Sequence, residues 1–394
     1  PVDKGGTNYL FYASGDMGAG QFANRLRPMK AQIPASYEGK ILRFNLAPDT
    51  DAHPWIPNDN PYSSSSAVYS IGIRNNQGFA YDTALNILYG SSHGPYSDDE
   101  INIIESRKNY GHPLVIGYAS DGNYNGNSTA GTNTSVSAGA AFTDNSGVSS
   151  CPPIGNEAVN KTAIDANGNG LYKDPLFSAY AVSQATVTNI WQTNPGNGGW
   201  PSEGWSGLDL YSNSMIPGWH KSLVAASLKW GRLVRIKLGS TGTITVPSNH
   251  PTNNAGDTIS YFGSQNRFRD LAFSPNGKDI YVVMDNNSTT SGPGSANPIV
   301  PTCAGCVQKY TFLGYNVNSS NGNSSYIPTS VDIAPGKANA FETANKVVIN
   351  AANGNNNLWV PITDASSNIV AEIYAQGAIW IPLPPLFTQR LAQA

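Results

Sequence analysis

An apolar strand, a tight turn and a second apolar strand recur along the first 314 residues of this chain, with no helical spacer between the repeats. The unit is visible in NYLFYASGDMG with GKILRFNL (39–46), in VYSIGIR with FAYDTALNILYG (67–90), in SLVAASLKWGRLVRIKL (222–238) and in FRDLAFSPNGKDIYVVMDN (268–286). The last of these turns on Pro275-Asn276-Gly277. Period-two alternation marks strands with one face buried, and the units return at intervals of roughly 40 to 70 residues once their loops are counted. Units of that size without helices suit a β-propeller, whose sheets bury their faces only against their neighbours, and a β-sandwich is the alternative. Composition agrees with an all-β chain. Only 12% of residues are charged, against 40 glycines and 27 prolines, too few charges to cover long helices and enough turn formers for many short strands.

Charge and cysteine content narrow the function classes. A formal net charge of −3 provides no basic surface for a phosphate backbone, so nucleic acid is not expected as a partner. No apolar run reaches the ~18 residues of a membrane-spanning helix. The three cysteines are Cys151, Cys303 and Cys306. Cys303-Ala-Gly-Cys306 lies among Pro, Gly and Ser with no second pair for zinc, which predicts a local disulfide and, with it, an exported protein in the periplasm, outside the cell or at the cell surface. PVDKGGTNYLFY has no apolar signal region, so an export signal is expected upstream.

Polar chemistry concentrates between Tyr69 and Gly117. Arg74, Asn75 and Gln77 form a polar cluster where one apolar run ends and its loop begins. His93-Gly94-Pro95 follows, then Asp98-Asp99-Glu100. Carbonyls beside carboxylates suit a hard cation, which makes Gly94, Pro95, Glu100 and the Tyr110 and Tyr118 region candidate calcium ligands; a solvated acidic turn is the alternative. Residues 119–200 read as long, polar, glycine-rich loops over a functional face, with DANGNG (165–170) as an Asx-rich turn. After residue 314 the texture changes: 315–326 read as a linker and 327–394 as a small β-sandwich-like module.

Six segments in a shared order resemble the soluble quinoprotein glucose and aldose dehydrogenases. They are GKILRFNL (39–46), GIRNNQGFA (72–80), HGPYSDDEINII (93–104), NYG-P (109–113, the residue before the proline not matched), SLKWGRLVRIKL (227–238) and NRFRDLAFSPNGKDIYVV (266–283). The resemblance implies a six-bladed propeller over residues 1–314, carrying pyrroloquinoline quinone (PQQ) and calcium on one face. It implies further that Lys229, Arg267 and Arg269 hold the cofactor, with Arg74 and Asn75 beside its quinone oxygens. Gly94 and Pro95 match calcium positions next to the cofactor; Glu100, Tyr110 and Tyr118 match a second calcium. Arginine suits such a cofactor because a guanidinium binds a carboxylate through two parallel bonds.

Departures from the family pattern are equally specific. The family's catalytic histidine precedes a Gly-Gly, whereas Val2-Asp3-Lys4-Gly5-Gly6 has none, leaving Asp3 or Asp16, with Arg74, as the catalytic candidates. Met17 replaces a sugar-binding glutamine, Ile73 a histidine, and Ile116 and Ser120 fall at second-calcium positions, where Asp121 could substitute. The first one or two blades are expected to be missing from this sequence. LWVPITDASSNIVAEIYAQG resembles C-terminal modules of proteins exported to the surface of Bacteroidetes-type gliding bacteria, which implies an export machinery as partner. Two functions follow as expectations: oxidation of an aldose or other alcohol with transfer of electrons to an external acceptor, or a surface propeller without turnover in glycan binding or adhesion.

Overall fold

A computed structural model describes residues 7–19, 29–129, 154–193, 199–216, 218–245, 260–285, 292–293 and 305–312, and five strands within 338–382. The strands pair mostly antiparallel, in sheets that the chain takes up broadly in order. Sheet 1 begins with β1 (Tyr9–Ser14), β2 (Lys40–Asn45) and β3 (Val68–Ile71). Sheet 2 holds β4 (Asn75–Asp82), β5 (Ile87–His93) and β6 (Asp99–Ile103). The chain then returns to sheet 1 with β7 (Lys108–Asn109), which runs parallel to β3. Helix α1 (Glu157–Ala166) follows, then β8 (Leu171–Tyr172) beside β7, and β9 (Phe177–Ala179) beside β6 as the fourth strand of sheet 2. After helix α2 (Gln184–Thr193) come sheet 3, made of β10 (Trp205–Tyr211), β11 (Ser222–Ser227), β12 (Arg232–Lys237) and β13 (Ser260–Tyr261), and sheet 4, made of β14 (Arg267–Phe273), β15 (Asp279–Asp285) and β16 (Val307–Thr311).

The core lies in layers between successive sheets. Ile41, Ile73, Leu88, Ile104 and Tyr110 fill the layer between sheets 1 and 2. Strand β11 is buried along its whole length because its two faces serve two layers. Leu223 and Ala225 pack with Tyr89, Ile101 and Trp205 towards sheet 2, while Val224 and Ala226 pack with Phe268, Val282 and Met284 towards sheet 4. This is the strand alternation of a sheet covered on both sides. The inner strands of neighbouring sheets approach closely enough to require glycine. A Cβ on Gly78 of β4 would lie 2.5 Å from the Leu208 nitrogen of β10, and one on Gly207 would lie 2.6 Å from the Asp270 Cα of β14. Serine hydroxyls fasten the same seams, Ser91 donating to the Ser206 carbonyl (2.7 Å) and Ser206 to the Phe268 carbonyl (2.7 Å).

Mostly-β architecture is therefore as expected, but the chain is not all-β. The segment expected as loops carries α1 and α2. Asn156 caps α1 by accepting from the Val159 amide (3.0 Å), and Asn167 closes it, its side chain receiving the Asn169 amide (2.8 Å) in an Asx turn within DANGNG. Short side chains within the helix, Ala158, Thr162 and Ala163, leave it a weak apolar period that the surrounding Asn and Gly obscured. Neither described helix is long and apolar enough to cross a membrane. Four sheets are described in residues 7–312, and a ring of six is not shown by them. Cys306 is disulfide-bonded. Cys151, Cys303, Asp3 and the linker 315–326 lie outside the described residues. Beyond it, β17 (Ala338–Thr343), β18 (Lys346–Ala351) and β21 (Ala378–Pro382) form one sheet, and β19 (Leu358–Thr363) pairs with β20 (Ile369–Ala375).

Candidate functional site

The joints between sheets supply the polar residues. Arg74 occupies the bend between β3 and β4, and Asn75, the first residue of β4 rather than a loop residue, pairs in register with His93, the last residue of β5. Gly94 comes next. The turn after β1 packs on this corner: the Asp16 amide donates to the Arg74 carbonyl (2.8 Å), and a Cβ on Gly15 would meet Asn75 Oδ1 at 3.1 Å. Lys229 sits in the turn between β11 and β12, and Arg267 and Arg269 lie on β14.

Electrostatics shows how these positions meet. His93 is desolvated, and its imidazole is pushed down to about 4; Asp99 opposes that shift, while the charges of Arg74 and Arg269 add to it. Lys229 is lowered by burial against the pull of Asp99 and Glu203, and its ammonium donates to the Trp200 carbonyl. Burial and the Arg269 charge lower Arg267, while Asp285 opposes them. Arg269 pairs with Asp285 (2.5 Å) and reaches Gln77 Oε1 (3.3 Å). Arg74 and Arg269 thus both act on His93, Arg267 acts with Arg269, and Lys229 is joined to His93 through Asp99, although these residues are drawn from across the four sheets. Local irregularity helps: the pairing shifts register between Asn76 and Gly78 and between Phe268 and Asp270, so the residues that meet, Gln77 and Arg269, are both bulge residues re-aimed from their strands.

Asp16 is 3% exposed and faces a histidine that sequence reasoning passed over. His112 Nε2 lies 3.0 Å from Asp16 Oδ2, and the Gly18 amide donates to Asp16 Oδ1 (2.8 Å). Burial alone would raise the Asp16 carboxyl, but His112, Arg74 and Gly18 outweigh it and hold it below the ordinary value. Burial keeps the His112 imidazole neutral against the pull of Asp16. A neutral ring that donates Nε2–H to Asp16 leaves Nδ1 as its basic nitrogen, and Nδ1 is buried without a hydrogen-bond partner. Asp16 itself is consequently a weaker base than its place in the site suggested. His112 had a signal in the sequence only as the residue before Pro113, and nothing there tied it to Asp16, 96 positions away.

The calcium candidates divide. The turn from His93 to Asp98 folds back so tightly that a Cβ on Gly94 would fall 1.7 Å from the Ser97 carbonyl oxygen. Glu100 accepts from Asn102 Nδ2 (2.9 Å) and the Gly117 amide (3.1 Å), and desolvation pushes it up to about 7. Tyr110 and Tyr118 lie near it, but their hydroxyls are committed, Tyr110 donating to the Ile103 carbonyl (2.6 Å) and Tyr118 accepting from the Ser178 amide (3.2 Å). Glu157 at the start of α1, also raised to about 7 by burial, accepts from the Ile116 and Tyr124 amides, and Asp121 is raised to about 6 by desolvation, with Asp174 adding to it. Among the described residues no three His, Cys, Asp or Glu side chains gather tightly enough to hold a metal. Neighbouring carboxylates add to burial here, Asp99 and Asp174 at Glu100 and Asp121 at Glu157, so negative charge collects in oxygen-rich surroundings of the chemistry a hard cation takes. The cationic corner fits an anionic cofactor in the same way, with Arg267 Nε buried and without a hydrogen-bond partner.

Residues 2–165 match the family model described as glucose/sorbosone dehydrogenase, the class that the resemblance named. Among relatives, quinoprotein glucose dehydrogenase B of Acinetobacter calcoaceticus is 33% identical over 305 residues, 70% of this chain and 56% of its own length. The aldose sugar dehydrogenase YliI of Escherichia coli (strain K12) is 40% identical over 114 residues, 28% of this chain and 27% of its own. The chain thus spans about half the length of the first of these and about a quarter of the second. The crystal structure of the soluble aldose sugar dehydrogenase from Escherichia coli in the apo-form aligns with 73% of this chain and 61% of its own, at 23% identity and a TM-score of 0.43.

Proposed function

We propose that the protein is a PQQ- and calcium-dependent dehydrogenase that oxidises an aldose, or another alcohol, to the lactone or aldehyde and passes the electrons to an external acceptor. The observation that carries this reading is that Arg74 and Arg269 both act on His93, with Arg267 beside Arg269 and Lys229 joined to the same corner through Asp99. A planar tricarboxylate matches such a cluster, and a solvent-facing adhesive surface has no need of it. In this reading the four sheets belong to a six-bladed propeller, 1–314 in this chain, with 327–394 as an appended module, and the protein works in the periplasm or outside the cell.

Lys229, Arg267 and Arg269 would bind the cofactor carboxylates, and Arg74 and Asn75 would orient its quinone edge. The main-chain carbonyls of Gly94 and Pro95 would hold one calcium. Glu100, with Tyr110 and Tyr118 contributing through their main chain, would hold a second. The bound quinone supplies the two-electron acceptor for hydride. Proton transfer falls to the chain: Asp16 fixes the His112 tautomer, and His112 Nδ1 takes the substrate hydroxyl proton while Arg74 keeps the neighbouring carboxylate charged. Asp3 remains the alternative base.

Titrating PQQ by absorbance in the presence of calcium tests the reading. Binding at micromolar concentration or tighter is expected, weakened at least about ten-fold in Arg267→Ala because a charge-assisted pair is lost. No PQQ binding by the wild-type chain would overturn the assignment and favour the surface propeller without turnover.

A further inference from the structure

One buried carboxylate fastens the two halves of the site together. Asp99, 2% exposed at the start of β6, accepts four hydrogen bonds from two sheets. Its Oδ1 receives the Gly94 amide (2.9 Å), and its Oδ2 receives the Ser202 hydroxyl (2.6 Å) and the amides of Glu203 (2.6 Å) and Gly204 (2.8 Å). The 202–204 turn in turn carries the Lys229 turn. The Lys229 amide donates to the Glu203 carbonyl (3.0 Å), the Leu228 amide to the Gly204 carbonyl (3.0 Å), and the Trp230 indole to the Ser202 carbonyl (2.9 Å). Glu203, wholly buried, is locked by Arg232 and by the Tyr180 hydroxyl (3.0 Å). Four donors on one carboxylate leave it little freedom, so the peptide of Gly94 and the base of Lys229 keep a fixed separation.

We propose that Asp99 is a positioning residue that presets Lys229 against the Gly94 turn, so that the cofactor cation and the metal carbonyls are presented as one rigid frame. The inference rests on the function proposed above. It concerns a residue that need not touch the ligand: Asp99 has its oxygens filled by protein donors, and it acts through Lys229. Asparagine at 99 would turn an amide NH2 towards backbone N–H groups, break the clasp and release the 202–204 turn.

The test is a double-mutant cycle on PQQ affinity, read by absorbance in saturating calcium, with Asp99→Asn, Lys229→Ala and the pair. Asp99→Asn is expected to weaken PQQ on the order of ten-fold or more. In the Lys229→Ala background the same change is expected to cost distinctly less, because one of the two groups that Asp99 positions is gone while only the Gly94 turn is still released. Ser202→Ala removes one donor without leaving an amide in its place, and a smaller loss with the same dependence on Lys229 is expected; it serves as the second cycle if Asp99→Asn fails to fold, judged by near-ultraviolet circular dichroism. Additive losses in a folded cycle would overturn the inference while leaving the enzyme reading intact. Failure of the wild type to bind PQQ would overturn both.

Discussion

At the scale of single residues, a histidine buried beside a carboxylate does different work according to which nitrogen holds the proton. His112 gives Nε2 to Asp16 and keeps Nδ1 free of protein partners, the arrangement of a base whose orientation is set from behind. His112→Phe is expected to lower the rate of sugar oxidation by about 10²- to 10⁴-fold while PQQ affinity stays within a few-fold. Asp16→Asn should also slow turnover, since an amide can impose the wrong tautomer. Parallel loss of cofactor binding in His112→Phe would remove it from proton transfer and make it a packing residue. The cations proposed for this site stood out in the sequence because arginine and lysine are scarce, 23 in the chain, and four of them fall at matched positions. Asp99 and His112 could not: each owes its part to a partner about a hundred positions away that neither alternation nor spacing encodes.

At the scale of elements, the seams between sheets set the tolerance to change. Gly78 and Gly207 lie where the inner strands β4, β10 and β14 touch backbone to backbone, so a methyl group there has no space to enter. Gly78→Ala or Gly207→Ala is expected to destabilise by about 1–3 kcal/mol, measured by denaturant titration, with the lost packing felt across the seam. An unchanged midpoint in both would mean that the seams open freely. Strand positions were legible because each hairpin is local and alternates on its own, from β1 with β2 to β14 with β15. Helix α1 was hidden by Asn and Gly on both sides, and the bulges at Gln77 and Arg269 were hidden because one extra residue leaves the surrounding alternation readable.

At the scale of the molecule, carboxylates without an opposing cation make stability depend on pH. Glu100 and Glu157 titrate at about 7 and Asp121 at about 6 in the folded chain, each above its ordinary range chiefly because it is desolvated. Folded protein therefore holds protons that the unfolded chain releases. Their contribution is fully present below the ordinary carboxylate range and is lost as pH rises through about 7. In EDTA the melting temperature is expected to fall between pH 5 and pH 8, by thermal melts, and calcium should flatten that fall by replacing the lost protons with a cation. A calcium-independent profile would reduce these groups to an acidic loop. The return of β7 and β8 to sheet 1, and of β9 to sheet 2, has a consequence for biosynthesis. Sheets 3 and 4 can close as their hairpins leave the ribosome, but sheet 2 waits for Phe177 long after Ile103 has emerged, and sheet 1 waits for Leu171. During that interval the edges of β6 and β7 stand open, so the nascent chain is most exposed to aggregation, or to a chaperone, while residues 104–177 are being made.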